Sequence, residues 1–176
     1  MMAADTIREC VAKYWRFRRQ CFLVAFEATD TSFPGLDNRR ADILTADDSR
    51  RLIEIEVKVS MSDLHRDYNK WLHNQARWGH PTLTVAYFYF AVPRPIANQV
   101  CLVCDQKFPY AGVLGCNGLD EYGVSVYRKP KQLSDKRLSV RKIYQLVKAQ
   151  SGTICHLAGQ LEEQKRVVQN LRGGKP

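Results

Sequence analysis

The sequence predicts a mixed α/β fold in which a central sheet is flanked by helices. Three observations predict this class: helical and strand patterns alternate along the chain, one strand carries regularly alternating charges, and the composition is that of a globular protein. The chain has 176 residues, of which 45% are hydrophobic and 26% charged, close to the averages for folded proteins. A chain of this size buries a core without metal or disulfide support, so we expect one self-contained domain.

The first half of the chain is predicted to form a helix followed by three strands. Apolar residues recur at helical spacing over residues 6–19, and Arg8 with four further cations gives this helix a basic outer face. A short apolar run at 21–28 predicts a buried strand. A second strand at 40–46 is joined by a short polar connection to a third at 51–60.

The third predicted strand carries the most information about function. Its aliphatic residues alternate with three charged residues, Glu54, Glu56 and Lys58. Because side chains alternate between the two faces of a strand, these three charges are expected on one face of the sheet.

The second half of the chain alternates strands with helices. The predicted elements are a helix at 62–75, a strand at 82–92, a helix at 96–108, strands at 110–116 and 122–127, and two helices after Ser134 divided at Ser151-Gly152. The aromatic run Tyr87–Phe90 favours a core strand over a base-stacking platform. We assign residues 1–133 to the main domain and 134–176 to a helical extension, which either packs on the domain or forms a dimer seam.

The charge balance and the absence of long apolar segments restrict the partners and the compartment. The formal net charge of +9 favours a polyanionic partner such as nucleic acid, although a solvated basic face gives the same number. No window holds the roughly 18 apolar residues of a spanning helix, and the N-terminus lacks the apolar core of a signal peptide. We therefore expect a cytoplasmic protein without a membrane partner, whose six cysteines are reduced.

Two carboxylates and one ammonium group are predicted to meet on the hairpin of the second and third strands. Asp42 lies on one of these strands, and Glu56 and Lys58 lie on the other. Mg²⁺ prefers oxygen ligands and keeps several waters, so Asp42 and Glu56, with the Val57 backbone carbonyl as a further ligand, suffice to hold it. A lysine beside the ion orients the attacking water or stabilises the transition state. This arrangement predicts hydrolysis of phosphodiester bonds with Mg²⁺ or Mn²⁺ as cofactor.

The alternative is that Glu56 and Lys58 are exposed neighbours on a half-solvated sheet. E-x-K is a common triplet, which an alternating strand supplies by chance. The acidic residue in the preceding strand, the hairpin between the strands, the helices before and after them and the basic chain together favour the catalytic interpretation.

Four segments of the chain carry a family pattern when they are taken together. They are Arg39–Leu44 (RRADIL), Ile55–Ser60 (IEVKVS), Asp67–Trp71 (DYNKW) and Tyr87–Pro93 (YFYFAVP). Over roughly residues 6–127 the chain resembles the PD-(D/E)xK nuclease superfamily, which has the restriction-endonuclease-like fold, and most closely its MmcB-like DNA-repair branch. The resemblance implies an α-β-β-β-α-β core, with Asp42 and Glu56 as metal ligands and Lys58 assisting the attacking water. The proline that names the motif is replaced by Ala41.

The resemblance also implies a further acidic ligand upstream of the motif. Glu27 on the first strand is the better candidate, and Glu9 on the first helix is the second. Glu54 is an equal alternative because it shares the strand face of Glu56.

Arg39, Arg40 and Lys70 are the candidates for DNA contacts. Contacts to phosphates position a duplex without reading its sequence. Lys70 is three residues from Asp67 on a predicted helix, which also allows an ion pair between them.

The sequence thus predicts a metal-dependent DNA endonuclease or exonuclease, acting in DNA repair, recombination or phage–host defence. The first alternative is a DNA-binding scaffold of the same fold with weak or no cleavage. The second is a protein-interaction role in which the C-terminal helices form a homodimer seam.

The cysteines allow one further interpretation, a zinc site built from Cys101, Cys104 and Cys116 with Cys155-His156. We favour small apolar residues in a helix for Cys101 and Cys104, because the second half of a zinc-binding pattern is missing.

Overall fold

The computed structural model of the protein describes residues 2–28, 40–66, 84–118 and 123–173. The helices are α1 (Ala4–Lys13), α2 (Met61–Arg66), α3 (Ala97–Lys107) and α4 (Val140–Gly173), with a π-helical turn (Tyr14–Arg18) and a 3₁₀ turn (Arg94–Ile96). The strands are β1 (Leu23–Ala28), β2 (Ala41–Ala46), β3 (Leu52–Val57), β4 (Val85–Pro93), β5 (Gly112–Cys116) and β6 (Val124–Arg128).

The six strands form one mixed sheet in the order β1-β2-β3-β4-β5-β6. β1, β2 and β3 are antiparallel neighbours, β3, β4 and β5 run parallel to one another, and β6 returns antiparallel to β5. Helices flank this sheet, so the predicted α/β class is confirmed.

The sheet separates two hydrophobic cores. The α1-side core contains Ile7, Val11, Trp15, Ile43, Ile53, Ile55, Val57, Leu114 and Cys116. The α3-side core contains Leu44, Phe88, Phe90, Val100, Cys104, Phe108, Leu138 and Leu146. Phe88 and Phe90 are fully buried in the α3-side core, and Tyr89 contacts Trp15 on the other side, with ring centroids 5.6 Å apart. The aromatic run is therefore a core strand covered on both faces, as predicted.

Several predicted boundaries are corrected. The first helix is α-helical only to Lys13 and then widens into the π-helical turn, and β3 ends at Val57 instead of residue 60. The helix predicted at 62–75 is described only as α2, and its remainder lies outside the described residues.

The C-terminal extension is one continuous helix of 34 residues, not two helices divided at Ser151-Gly152. The chain before the helix is bonded to the domain: the Leu133 N–H donates to the Ala86 carbonyl at 2.8 Å, and the Leu138 N–H donates to the Arg50 carbonyl at 2.8 Å. The helix then begins at Val140, where the Ser139 Oγ accepts the Lys142 N–H at 3.3 Å. A glycine inside an exposed helix costs only about 1 kcal/mol, too little to end a helix of this length.

Glycine at position 112 is required because the ring of Tyr89, its partner on the neighbouring strand β4, lies close to its Cα. A Cβ there would lie 2.5 Å from two ring carbons of Tyr89 and 3.0 Å from the Arg128 carbonyl oxygen. We predict that Gly112→Ala lowers the free energy of unfolding by about 1–3 kcal/mol through overpacking. Gly152→Ala is the matched control, since a Cβ there meets no atom within 4 Å, and it is expected to change stability by no more than a gain of about 1 kcal/mol. Urea denaturation measures both; a neutral Gly112→Ala would contradict this packing.

Candidate functional site

Three charged side chains are buried in the sheet at the end of β3. Glu54 is 0% exposed, Glu56 is 6% exposed and Lys58, directly after the strand, is 5% exposed. The Lys58 Nζ donates to Glu56 Oε2 at 3.4 Å. Burying such charges costs several kcal/mol for each ion unless opposite charges and hydrogen bonds compensate. The alternative of exposed neighbours on a half-solvated sheet is therefore wrong for Glu56 and Lys58.

Asp42 lies at the same end of the β2–β3 hairpin. The register pairs Ile43 with Ile55, so Asp42 and Glu56 are the next residues on the two strands. Asp42 Oδ2 accepts a hydrogen bond from the Val57 backbone N–H at 2.8 Å. The structure thus brings Asp42, Glu56 and Lys58 to one end of the hairpin. There the Asp42 carboxylate accepts the backbone N–H of Val57, the last residue of β3.

Arg8 is the residue of this site that the sequence did not reveal. Its Nη2 donates to Asp42 Oδ1 at 3.3 Å, and its Nη1 donates to Asp5 Oδ1 at 2.7 Å. The guanidinium Nε is buried and has no hydrogen-bond partner among the described residues. Burial opposes the charged form, but the carboxylates of Asp42 and Asp5 outweigh it and raise the pKa of Arg8. Arg8 is therefore a permanent cation beside Asp42.

Arg8 does not belong to the exposed basic face that was predicted for the first helix. Lys13, Arg16, Arg18 and Arg19 are exposed, whereas Arg8 is half-buried and turns toward the sheet. The signal that separates Arg8 from the others is its place next to Ile7 and one turn before Val11, both of which are fully buried. A helix position that borders the buried stripe carries its side chain toward the sheet.

The three candidates for a further acidic ligand differ in their surroundings. The β1–β2 register pairs Phe26 with Ile43 and Ala28 with Ala41, which puts position 27 opposite Asp42; the side chain of Glu27 is outside the described part of the structure. Glu54 lies two residues before Glu56 on the same face of β3. Glu9 is exposed, and its carboxylate accepts a hydrogen bond from Lys13 Nζ at 2.6 Å.

Of the predicted DNA contacts, only Arg40 belongs to the described chain. It is exposed and lies directly before β2, two residues from Asp42. Arg39, Asp67 and Lys70 lie outside the described residues.

The oxygen donors at the hairpin end suit a hard divalent cation. Within the described ranges, no group of three or more His, Cys, Asp or Glu side chains could hold a metal ion. Mg²⁺ needs fewer, because one or two carboxylates plus waters and substrate oxygens satisfy it. Asp42 and Glu56 supply two carboxylates. The Val57 N–H donates to Asp42. In a strand, the N–H and the C=O of one residue point to the same side, so the Val57 carbonyl oxygen also points toward β2.

The cysteines considered for zinc lie in different parts of the protein. Cys101 and Cys104 are on α3, and Cys104 belongs to the α3-side core, whereas Cys116 lies in the α1-side core beyond the sheet. Burial raises the pKa of the Cys104 and Cys116 thiols to about 12, so both are protonated at neutral pH. The zinc set assembled from the sequence is thus divided by the sheet, and these two residues pack as small apolar groups.

Comparison with known proteins supports the fold and no more. Protein-family models and curated protein sequences give no match to this chain. Among solved structures, a protein of unknown function from Silicibacter pomeroyi is similar, with a TM-score of 0.57 and 15% identity, covering 94% of each chain. In the described residues, no helix has the length and apolarity that crossing a membrane requires.

Lys58 is expected to stabilise the fold through its charge. We predict that Lys58→Met lowers the free energy of unfolding by about 3–5 kcal/mol, because it removes the cation that faces the buried Glu56 carboxylate. The double variant Glu56→Gln/Lys58→Met removes both charges and is expected to recover most of that loss. Urea denaturation of the two single variants and the double variant gives the coupling free energy. A coupling near zero would show that the two charges act independently.

Proposed function

We propose that the protein is a divalent-metal-dependent deoxyribonuclease of the PD-(D/E)xK superfamily, similar to the MmcB-like DNA-repair proteins. One observation carries the proposal: Asp42, Glu56 and Lys58 converge at one end of the β2–β3 hairpin, and the last two are almost fully buried. Charged residues concentrated in this way are typical of functional sites, since packing alone is served equally well by apolar residues.

The order of the elements gives independent support. Among the described elements, a helix, three antiparallel strands, a helix and a parallel strand come in the order α1, β1, β2, β3, α2 and β4. This is the α-β-β-β-α-β order that the sequence resemblance implies for the superfamily. The mixed-sheet class is common to many functions, so the functional argument depends on the site and not on the fold.

In the proposed mechanism, Asp42, Glu56 and the Val57 carbonyl hold Mg²⁺ or Mn²⁺. The ion, when bound, lowers the pKa of a coordinated water and offsets charge that develops on the scissile phosphate. Lys58 orients the attacking water or donates a hydrogen bond to the phosphoryl oxygen that gains charge. Arg40 contacts the DNA backbone near the hairpin end, with Arg39 and Lys70 as further phosphate contacts. DNA repair, recombination and phage–host defence are the processes that such an enzyme serves.

Cleavage of labelled DNA tests this proposal. The substrates are a duplex, a single strand, a flap and a four-way junction, each with Mg²⁺, with Mn²⁺ and with chelator. We predict that Asp42→Asn lowers the cleavage rate at least about a hundredfold, as expected when one polar group of a catalytic centre is lost. Glu56→Gln/Lys58→Met is expected to fold and to lose cleavage equally. Glu162→Gln, an exposed change on α4, serves as the charge-matched control.

The outcomes separate the proposal from its rivals. Metal-dependent products that vanish in both site variants, while the Glu162→Gln control cleaves normally, support the nuclease. Products that persist in either site variant come from a contaminant or another site, and they contradict this assignment. Binding of DNA without cleavage under any metal condition favours a scaffold of the same fold.

The scaffold is the second candidate function, and the cations in the site favour it. Asp42 already faces Arg8, and Glu56 already faces Lys58, so each carboxylate has a positive neighbour without a metal ion. A fold that keeps its charges paired in this way is stable as a DNA-binding module alone.

Arg8 is expected to compete with a metal ion for Asp42. We predict that Arg8→Met tightens Mn²⁺ binding two- to fivefold, the range that corresponds to a partly exposed ion pair of about 0.5–1 kcal/mol. Isothermal titration calorimetry measures the affinity, and Arg16→Met on the exposed face of the same helical segment is the control. Weaker binding in Arg8→Met would indicate instead that Arg8 holds Asp42 in a binding geometry.

A further inference from the structure

The long C-terminal helix buries side chains in the domain only over a short anchored segment. Leu146 is fully buried in the α3-side core, and Ile143 packs against that core. Every residue from 151 to 169 is exposed. At 1.5 Å per residue, the helix beyond residue 150 is roughly 35 Å long. Helices of this length gain most of their stability from an apolar face packed on a partner, so the exposed part needs one.

The apolar residues of α4 follow a seven-residue repeat. Aliphatic residues occur at intervals of seven, at Val140, Val147, Ile154, Leu161 and Val168. Three residues after each of them come Ile143, Gln150, Leu157, Gln164 and Leu171. These two series are the a and d positions of a coiled coil. Along the described a positions the side chains are 45–71% exposed.

The residue types at these positions select one kind of partner. Among parallel coiled coils, β-branched residues at a with leucine at d favour two strands, and α4 has valine or isoleucine at four of its five a positions and leucine at two of five d positions. The flanking g positions Thr153, Gln160 and Val167 are uncharged. The flanking e positions Ser151, Ala158 and Lys165 carry one charge. A parallel pairing of two copies of the helix therefore meets no like-charge repulsion across the seam.

The same face of α4 borders an unfilled apolar groove. A cavity of about 1020 Å³ lies between α4 on one side and α1, the π-helical turn and β1 on the other. Its α4 wall includes Val147, Ile154 and Leu157, and its opposite wall includes Phe17, Phe22 and Phe26. The three phenylalanines are 40–61% exposed. The seam and the phenylalanines thus line one groove, whose α1 side also carries charged residues, Asp5, Arg8, Glu9, Lys13 and Arg16.

We infer that this surface binds a second copy of the chain, whose α4 pairs with α4 in a parallel two-stranded coiled coil. The seam starts at Val147, because Ile143 packs against its own domain, and extends to Leu171. This is a strip roughly 37 Å long and about one helix diameter wide. With the phenylalanines, two copies bury on the order of 1000 Å² in total, which is the lower limit for a biological interface and fits a dimer that dissociates on dilution. The inference is independent of the proposed nuclease activity.

Sedimentation equilibrium of the full chain over a dilution series tests the inference. Wild-type protein is expected to be a dimer that dissociates on dilution. Ile154→Lys/Leu161→Lys puts two charges in the seam and is expected to be monomeric at every concentration, yet folded, since both residues are exposed in one copy. His156→Lys/Gln169→Lys adds the same charge at the exposed c and b positions and is expected to stay dimeric. A monomeric wild type, or a seam variant that stays dimeric, would overturn the inference.

Oxidative cross-linking tests the direction of the two helices. Val168→Cys in a Cys155→Ser background places one thiol per chain near the end of the seam. In a parallel dimer the two introduced thiols face each other and form a disulfide-linked dimer in high yield. In an antiparallel dimer they lie at opposite ends, so a lack of cross-linking in a protein that sediments as a dimer would overturn the parallel arrangement.

Discussion

The Asp42 carboxylate holds together the part of the structure on which the candidate site depends. One of its oxygens accepts the Val57 N–H, and the other accepts Arg8 Nη2. A buried strand N–H needs an acceptor, and at this hairpin end the acceptor is a side chain of β2. The same carboxylate therefore links the end of β3 to α1. Asp42 has two oxygens with a fixed geometry, so hydrophobic residues of similar size cannot replace it.

Glu56 and Lys58 are buried next to Asp42, and their burial strengthens the electrostatic interactions within the site. The register places Glu56 beside Phe90 of β4, in a region where the effective dielectric constant is lower than in water. There, a charge interacts more strongly with its neighbours and also costs more if it is left alone. The Lys58–Glu56 contact and the Lys58 N–H bond to the Ala91 carbonyl hold both residues in place. A site assembled in this way is preorganised, which is what stabilisation of charge in a transition state requires.

The local part of this architecture could be predicted from the sequence. The alternation of Ile53, Glu54, Ile55 and Glu56 predicts both the strand and its charged face, because successive side chains of a strand point to opposite faces of the sheet. The contact between Arg8 and Asp42 could not be predicted, since it joins residues 34 positions apart in the chain and depends on how α1 lies on the sheet. The burial of Lys58 could not be predicted for the same reason, because the pattern gives the face of a residue and not what covers it.

The two glycines of α4 lie where the inferred coiled coil tolerates them. Gly152 and Gly159 each cost about 1 kcal/mol in a helix interior, and neither interrupts α4. Both glycines occupy position f of the seven-residue repeat, directly opposite the a and d positions. A side chain at f contributes nothing to a two-stranded seam, so glycine there weakens the helix without weakening the pairing. In the dimer inferred above, pairing along the opposite face would supply the stability that the two glycines remove.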